Sequence, residues 1–272
     1  MRFLKMHGLG NDFVVLDGRH ETVTLTPEQI LRIADRKTGV GFDQLILIGT
    51  GDGAADAAMR IFNADGSEVD ACGNATRCVG RLLLGESGAK AASIRTGAGL
   101  LTAFTAGGTR ISVDMGAALL EPSRIPVDAV DSLHLPIEEG PLRDPVGVGM
   151  GNPHAVFFVD DVQAIDLEVL GPKLEHHPLF PAKANISIAQ VTGPVGIRLR
   201  VWERGVGITR ACGTAACATA VAGHRRGLTE RTVTITLDGG DLELTWRKDG
   251  RVIMTGETAL SFEGTLAPEL LA

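Results

Sequence analysis

Short stretches of apolar or alternating residues recur along the whole chain, a pattern typical of β-strands. They predict strands at 12–17, 44–49, 58–63, 92–96 and 110–115 in the first half, and at 154–160, 186–191, 197–203, 231–237, 241–246 and 250–255 in the second. Each half also has a helical segment directly after an Ala-Cys-Gly sequence. In the first helix, the apolar residues at 75, 79, 82 and 83 share one face, and Gly85 and Gly88 are expected to end it. The second, at 215–222, is almost entirely Ala, Cys, Thr and Val, which predicts a helix buried on all sides.

Five sequence blocks of the first half recur in the second half, in the same order and displaced by 140 or 141 positions. The paired blocks begin at Gly10 and Gly151, Gln44 and Asn185, Arg60 and Arg200, Ala71 and Ala211, and Arg110 and Arg251. We therefore expect two homologous halves that face each other. Strands around one buried helix, occurring twice, predict an α+β protein with two pseudo-symmetric lobes, each a mixed β-sheet or barrel wrapped around a central helix.

The segment 119–145 separates the two halves and holds five of the twelve prolines. Because proline removes a backbone donor and fixes φ, this segment is expected to be an irregular connection. The predicted lobes are therefore 1–118 and 146–262.

The composition narrows the function classes. With 44% apolar and 22% charged residues, the 272-residue chain is typical of a globular protein rather than a disordered one. A net charge of -7 and only 4% aromatic residues argue against nucleic-acid binding. No apolar run is long enough for a transmembrane helix, and the N-terminus lacks the apolar core of a secretory signal. We therefore expect a cytoplasmic protein, without a membrane partner, whose cysteines are reduced.

Two of the four cysteines, Cys72 and Cys212, occupy matching positions where a loop leads into a helix. The first turn of a helix has unpaired N–H groups and a positive dipole end, which favours a thiolate and also binds carboxylates. The residues that would form this anion site directly follow each cysteine: Gly73, Asn74, Gly213 and Thr214.

Other interpretations of the cysteines remain open at this point. Cys78 and Cys217 fall inside the predicted helices and are interpreted as buried apolar residues. A disulfide between Cys72 and Cys212 is possible if the halves face each other. The spacings do not match those of structural zinc sites, so no metal is expected.

Two acid/base groups of one type, one per half, suit a racemase or epimerase, in which a thiolate takes a proton from one face of a carbon and a thiol returns one to the other.

Further polar residues lie at strand or loop ends within the repeated blocks. Amides both donate and accept, so they can bind carboxylate and ammonium groups, although an isolated Asn is more typical of a turn. Glu203 suits an ammonium group and Arg204 a carboxylate, unless the two form a surface ion pair. His154 is either a site residue or a histidine at the start of a strand. The candidate amides are Asn11, Gln44, Asn63, Asn152 and Asn185.

Several sequence blocks resemble those of the diaminopimelate epimerase family, and together they cover nearly the whole chain. The blocks are KMHGLGNDF at 5–13, NADGSE at 63–68, ACGN at 71–74 with Arg77 and Cys78, GNPHAV at 151–156, WERGVG at 202–207 and ACGT at 211–214.

The resemblance implies a cofactor-free isomerase of lysine and cell-wall precursor synthesis that interconverts LL- and meso-2,6-diaminoheptanedioate. It implies that Cys72 and Cys212 are the acid/base pair, and that His154 and Glu203 support catalysis. The reacting carboxylate would lie at both helix N-termini. The rest of the substrate would be bound by Asn11, Gln44, Asn63, Asn152, Asn185, Glu203 and Arg204.

The family also implies a homodimer with Phe262 at an aromatic contact, and a C-terminal segment, 263–272, that returns to the first lobe. This chain departs from the usual family pattern at Ala75, Ala215, Ile208 and Arg210.

Two alternatives remain: a proline racemase-like enzyme of the same fold, and a non-catalytic thiol redox or amino-acid-binding protein. The polar residues suited to a long substrate with two charged ends favour a diaminopimelate epimerase over a proline racemase-like enzyme.

Overall fold

The computed structural model describes residues 1–272 and divides into two compact units. The first unit comprises Met1–Val113 and Gly256–Ala272, and the second comprises Asp114–Thr255. The strands, in chain order, are β1 (Arg2–Gly8), β2 (Asn11–Asp17), β3 (Gln44–Thr50), β4 (Ala57–Asn63), β5 (Glu68–Val69), β6 (Ala91–Thr96), β7 (Gly99–Thr105), β8 (Arg110–Ala117), β9 (Glu138–Glu139), β10 (Leu142–Arg143), β11 (Val146–Gly149), β12 (Pro153–Phe158), β13 (Asn185–Gly193), β14 (Gly196–Glu203), β15 (Gly207–Thr209), β16 (Thr232–Leu237), β17 (Gly240–Trp246), β18 (Arg251–Glu257) and β19 (Ala259–Thr265). The α-helices are α1 (Pro27–Ala34), α2 (Gly73–Ser87), α3 (Leu167–Glu175), α4 (Gly213–Arg225) and α5 (Pro268–Leu271).

The two units contain the same sequence of strand pairings. In the first, β1–β2 is antiparallel, β2–β3 parallel, β3–β4 and β4–β5 antiparallel, β4–β6 parallel and β6–β7 antiparallel. In the second, β11–β12, β12–β13, β13–β14, β14–β15, β14–β16 and β16–β17 follow the same order of directions. The predicted α+β class, with two lobes of one mixed-sheet topology, is confirmed.

One helix of each unit is buried among these strands. The first eight residues of α2 are all buried, and in α4 every residue from Ala215 to Gly223 is buried. A side chain at Gly80 would lie only 2.5 Å from Ala103, so glycine allows α2 to pack closely against β7. Small residues thus let both helices occupy the interior, as the apolar composition of the second helix predicts.

Of the two glycines expected to end the first helix, only Gly88 does so. Gly85 lies within α2, and the helix ends at Gly88, which adopts a left-handed conformation with φ of 67°. Gly88 N–H then bonds the Leu84 carbonyl, satisfying one of the last helical acceptors. Glycine inside a helix costs only about 1 kcal/mol, which the buried apolar face of α2 outweighs.

The helices α1, α3 and α5 were not predicted. Helix α1 begins with a capping box, in which the Thr26 hydroxyl bonds Gln29 N–H and the Gln29 side chain bonds Thr26 N–H. Helix α3 begins at the cap Asp166 and contains Pro172, a residue that normally argues against a helix. The sequence signal for α1 was present, whereas α3 depends on packing of its buried leucines.

The proline-rich segment 119–145 lies within the second unit. It contributes apolar side chains to the core of that unit, where they pack with residues of β12, α3 and β13. The contributing residues are Ile125, Val127, Leu135, Ile137 and Leu142. None of the helices has the length and apolar character needed to cross a membrane.

Candidate active site

Cys72 is the N-cap residue of α2 and is partly exposed. Its Sγ accepts a hydrogen bond from Ala75 N–H at 3.5 Å and donates one to Asn11 Oδ1 at 3.8 Å. The first bond favours a thiolate, because an N–H stabilises negative charge on sulfur, whereas the second favours a thiol. The surroundings of Cys72 therefore support both protonation states.

Asn11, the first residue of β2, lies between Cys72 and a carboxylate. Its Oδ1 accepts a hydrogen bond from Asn74 Nδ2 at 3.2 Å, and its Nδ2 donates to Asp43 Oδ2 at 3.0 Å. Asn74 is only 3% exposed, so α2 and β2 are joined by a largely buried polar contact. The structure thus brings together three predicted site residues, Asn11, Cys72 and Asn74.

Gln44 and Asn63 form a second polar pair in the first unit. They face each other across the β3–β4 ladder, and Gln44 Nε2 donates to Asn63 Oδ1 at 3.1 Å. Asn63 Nδ2 in turn donates to Ser67 Oγ at 3.1 Å. Gln44 Oε1 is buried without a protein donor, so it can accept a hydrogen bond from a ligand such as an ammonium group.

Cys212 is the N-cap residue of α4, the position equivalent to Cys72, and is 6% exposed. Burial raises the pKa of the Cys212 thiol well above its usual range, and the negative charge of Glu203 raises it further. The Thr214 hydroxyl, 3.6 Å from Sγ, acts in the opposite direction. Glu203 is the last residue of β14 and also accepts a hydrogen bond from the Thr209 hydroxyl. Cys212 is therefore held as a neutral thiol near neutral pH.

His154 is fully buried in β12. Its Nε2 lies 2.8 Å from Asn152 Oδ1, and its Nδ1 is buried without a protein partner. Burial lowers the pKa of His154 to about 3, and the positive charge of Arg204 contributes to the shift. The imidazole is therefore neutral at physiological pH, with Nε2–H donated to Asn152.

Asn185, at the start of β13, is 3% exposed and connects two segments of the second unit. Its Nδ2 donates to the Pro153 carbonyl, and its Oδ1 accepts the backbone N–H of Arg204, both at 3.0 Å. The guanidinium of Arg204 donates a hydrogen bond through Nη1 to the Ala182 carbonyl at 2.8 Å. Arg204 is nevertheless exposed. The Arg204 loop is thus positioned from both backbone and side chain.

Sequence reasoning missed Glu175, the last residue of α3. Its buried carboxylate accepts Trp202 Nε1–H at 2.7 Å and Gly205 N–H at 3.1 Å. These bonds hold both sides of the segment that contains Glu203 and Arg204. No local motif marks this glutamate, because its two partners lie about 30 positions away in the sequence.

Sequence reasoning also missed the ion pairs formed by charged residues next to Asn11. Asp12 is paired with Lys5 and Arg36, and Asp43 is paired with Arg36 at 2.7 Å. Although burial opposes the shift, hydrogen bonds from Arg36 and Lys5 hold the pKa of Asp12 well below its usual range. A sequence signal was present, since Lys5 and Asp12 lie in the first family-like block and Asp43 precedes Gln44.

The remaining cysteines and two of the four departures from the family pattern lie in the interior, whereas Ile208 and Arg210 are exposed. Cys78 and Cys217 are fully buried, as are Ala75 and Ala215 in the first turns of their helices. Burial raises the pKa of Cys78 to about 12, so this thiol is inert near neutral pH. Ile208 is 38% exposed in β15.

Chemically, each unit combines a cysteine with the N-terminus of a buried helix. The unpaired N–H groups there can bind a carboxylate, and the thiol can exchange a proton with a carbon acid whose charge the helix end stabilises. No group of three or more His, Cys, Asp or Glu side chains is arranged to bind a metal ion.

Comparison with known proteins identifies related sequences over nearly the full length. A family model described as diaminopimelate epimerase matches residues 3–120 and 146–261. The diaminopimelate epimerase of Acidiphilium cryptum is 57% identical over 271 residues, covering 99% of this chain and 98% of that protein. The diaminopimelate epimerase of Rhodospirillum centenum is 56% identical, with coverages of 99% and 94%.

Solved structures share the fold at low sequence identity. A phenazine biosynthesis protein of the PhzF family from Enterococcus faecalis has a TM-score of 0.71 at 16% identity, with 97% of both chains covered. A hydroxyproline epimerase from Agrobacterium vitis has a TM-score of 0.69 at 16% identity, covering 97% of this chain and 90% of that one.

Proposed function

The chain belongs to the diaminopimelate epimerase family, and we propose that it interconverts LL- and meso-2,6-diaminoheptanedioate, a step in lysine and peptidoglycan precursor synthesis. The observation that carries the proposal is the placement of Cys72 and Cys212 at equivalent N-caps of two buried helices. Neither cysteine is in a disulfide.

The proposed reaction is a proton exchange at one α-carbon. One cysteine thiolate removes the α-proton and becomes a thiol, while the other thiol gives its proton to the opposite face of the carbon and becomes a thiolate. The configuration is inverted and no electron is transferred. The two sulfurs exchange protonation states in each turnover, so the reverse reaction uses them in reversed roles. Because the protein supplies both proton-transfer groups, this chemistry requires no cofactor.

The helix N-termini would stabilise the transition state. An α-proton of an amino acid is weakly acidic, and removing it places negative charge on the carbon and its carboxylate. The N–H groups at Gly73, Asn74, Gly213 and Thr214 suit this charge, because they begin the two helices at their positive ends.

The distal half of the substrate carries an ammonium and a carboxylate of its own. We propose that Arg204 binds the distal carboxylate and that the amides bind the distal ammonium. Gln44 Oε1 supports this role, since it is buried and without a protein donor. We assign the remaining contacts to Asn11, Asn63, Asn152, Asn185 and Glu203.

Glu203 would support catalysis through its charge and His154 through a hydrogen bond, and neither would transfer the substrate proton. Glu203 favours the thiol form of Cys212, which therefore suits the proton donor in one direction. His154 remains neutral and fixes Asn152 through its Nε2–H.

We further propose that the protein is a cytoplasmic homodimer. Phe262 supports an interface on β19, because it is 50% exposed and packs edge-on against Phe3 with 6.0 Å between the ring centres. The neighbouring Leu260 is 46% exposed. Light scattering on purified protein, compared with the Phe262→Ser variant, would give the oligomeric state; a wild-type monomer would contradict this proposal.

Proton NMR of LL-diaminopimelate with reduced enzyme in D2O tests the proposed activity. We expect loss of the α-proton signal together with appearance of the meso isomer. Cys72→Ala and Cys212→Ala should each abolish epimerisation, whereas the matched helix variant Cys78→Ala should remain active. Exchange of proline instead of diaminopimelate, or loss of activity in a folded Cys78→Ala variant alone, would contradict the proposal.

A further inference from the structure

The side chain of Asp43 contacts the amide that faces Cys72. Asp43 Oδ2 accepts hydrogen bonds from Asn11 Nδ2 at 3.0 Å and from the backbone N–H of Asp12 at 3.1 Å. The other oxygen, Oδ1, is paired with Arg36 at 2.7 Å. The two oxygens of one carboxylate thus have different partners.

Asp43 is held in place by the residues around it. Its own backbone N–H donates to the Asp12 side chain at 3.1 Å and to the Asp12 carbonyl at 3.0 Å. Asp12 in turn is paired with Lys5 and Arg36. This reciprocal contact joins the start of β2 to the residue before β3, so Asp43 is fixed although its side chain is 44% exposed.

The carboxylate determines which end of the Asn11 amide faces the sulfur. An ionised carboxylate only accepts hydrogen bonds, so the group that faces Asp43 has to be the Asn11 NH2. The Asn11 carbonyl then faces the Cys72 thiol, where it also accepts from Asn74 Nδ2. A reversed amide would place its oxygen against the Asp43 carboxylate and its NH2 against the NH2 of Asn74.

We propose that Asp43 is a positioning residue, which orients the Asn11 amide so that its carbonyl accepts the Cys72 S–H and thereby sets the balance between thiol and thiolate at this cysteine. The catalytic use of this balance rests on the proposed function. Ala75 N–H bonds the same sulfur and favours the thiolate, so the oriented Asn11 carbonyl supplies the opposing preference.

Other charged groups could influence Cys72 directly, and the test has to separate them from amide orientation. On the same helix these are Cys78, whose pKa the charge of Cys72 raises, and Arg77 and Arg81, whose charges act on Cys78. Beyond Asn11 they are Lys5, Asp12, Arg36 and Asp43. Asp43→Ala removes a negative charge as well as an acceptor, so a neutral variant that keeps the acceptor is needed to separate charge from amide orientation.

The experiment measures the rate of iodoacetamide alkylation at Cys72 as a function of pH, with the site identified by peptide mass spectrometry. Alkylation follows the thiolate, and Cys72 is partly exposed whereas the other three cysteines are buried. In Asp43→Ala the midpoint should move to lower pH by about half to one unit, the equivalent of one hydrogen bond.

Three variants identify the cause. Asp43→Asn should keep the wild-type midpoint, because its oxygen can still accept from both Asn11 and the backbone N–H of Asp12 while its NH2 displaces the exposed Arg36. Arg36→Gln should also keep it. Asn11→Ala should shift the midpoint as Asp43→Ala does. The double variant, with both Asn11→Ala and Asp43→Ala, should show the same shift as either single variant.

The outcomes are distinct. A folded Asp43→Ala protein with the wild-type profile, an equal shift in Asp43→Asn, or additive shifts in the double variant would each overturn the proposal. If Asp43→Ala does not fold, Asp43→Ser replaces it, since its hydroxyl lies one bond short of the position of Asp43 Oδ2, which accepts from Asn11. Because alkylation requires no turnover, absence of epimerase activity would contradict the proposed function without affecting this test.

Discussion

The side-chain carbonyl of Asn185 accepts the backbone N–H of Arg204 at 3.0 Å. The other end of the same amide bonds the Pro153 carbonyl, and the side chain is 3% exposed. One buried amide therefore joins the start of β12, the start of β13 and the loop after β14. Its contacts make it a positioning group for Arg204, whether or not it also contacts a ligand.

Replacing Asn185 with Ala should lower kcat/KM for diaminopimelate by roughly tenfold or more, mainly through a higher KM. The change removes two buried hydrogen bonds of about 1 kcal/mol each and releases the Arg204 loop. Steady-state kinetics would measure it, with Gln190→Ala in the same strand as the control. An unchanged KM with only a lower melting temperature would restrict Asn185 to a role in stability.

Replacing Glu175 with Gln should loosen the same loop from its other side. The carboxylate accepts two N–H groups, from Trp202 and Gly205, but a Gln side chain can turn only one oxygen toward them. We expect the free energy of unfolding to fall by about 1–3 kcal/mol and KM to rise.

Urea unfolding and the fluorescence of Trp202 would measure this loosening, the latter in a Trp246→Phe background, since the chain has two tryptophans. Glu168→Gln, an exposed residue in the first turn of α3, is the matched control. If both variants behave alike, the Glu175 contacts do not hold the loop.

Replacing Glu203 with Gln should lower the pH at which Cys212 ionises. Burial is the larger cause of the raised pKa of Cys212 and remains, but the negative charge that adds to it is removed. Ultraviolet absorbance of the thiolate, followed against pH in a Cys72→Ser background, should show the transition at lower pH in the Glu203→Gln variant. A transition that stays in place would mean that Glu203 does not act on this thiol.

The buried thiol of Cys78 should make the protein less stable as the solution becomes alkaline. Burial raises the pKa of Cys78 to about 12, from the ordinary thiol value of 9.0, so between these values the unfolded chain has lost a proton that the folded chain retains. The free energy of unfolding therefore falls with rising pH, by about 1.4 kcal/mol per unit for this group.

Urea unfolding at pH 8 to 11 would compare the wild type with Cys78→Ala. We expect the variant to be less stable at pH 8, because a buried group is deleted, but to have a smaller decline with pH. Equal slopes would show that Cys78 ionises as readily in the folded state as in the unfolded one.

Much of the fold followed from local patterns. The predicted strands and both central helices are present, because period-two alternation and small apolar helical segments report burial directly. Helix α3 could not be predicted, since Pro172 argues against a helix and only packing of Leu170 and Leu174 explains it. The end of α2 at Gly88 rather than Gly85 likewise depends on tertiary packing.

The candidate site likewise contains residues that the sequence identified and residues that it did not. Cys72 and Cys212 were identified from the sequence because the repeat places each at a helix entry, next to residues suited to an anion site. Glu175 and Asp43 were not, because their roles come from partners distant along the chain or from the geometry of a single amide.

By itself, the sequence determined the repeated strand and helix pattern, the family and the identity of the two candidate acid/base cysteines. Only the tertiary structure decided how those groups are tuned: that Cys212 is buried beside Glu203, that His154 is neutral, and that the Asn11 carbonyl faces Cys72. The reason is physical. Residue type and spacing specify which chemistry is available, whereas protonation state and orientation depend on burial and on charges within a few ångströms, which are brought together only when the chain folds.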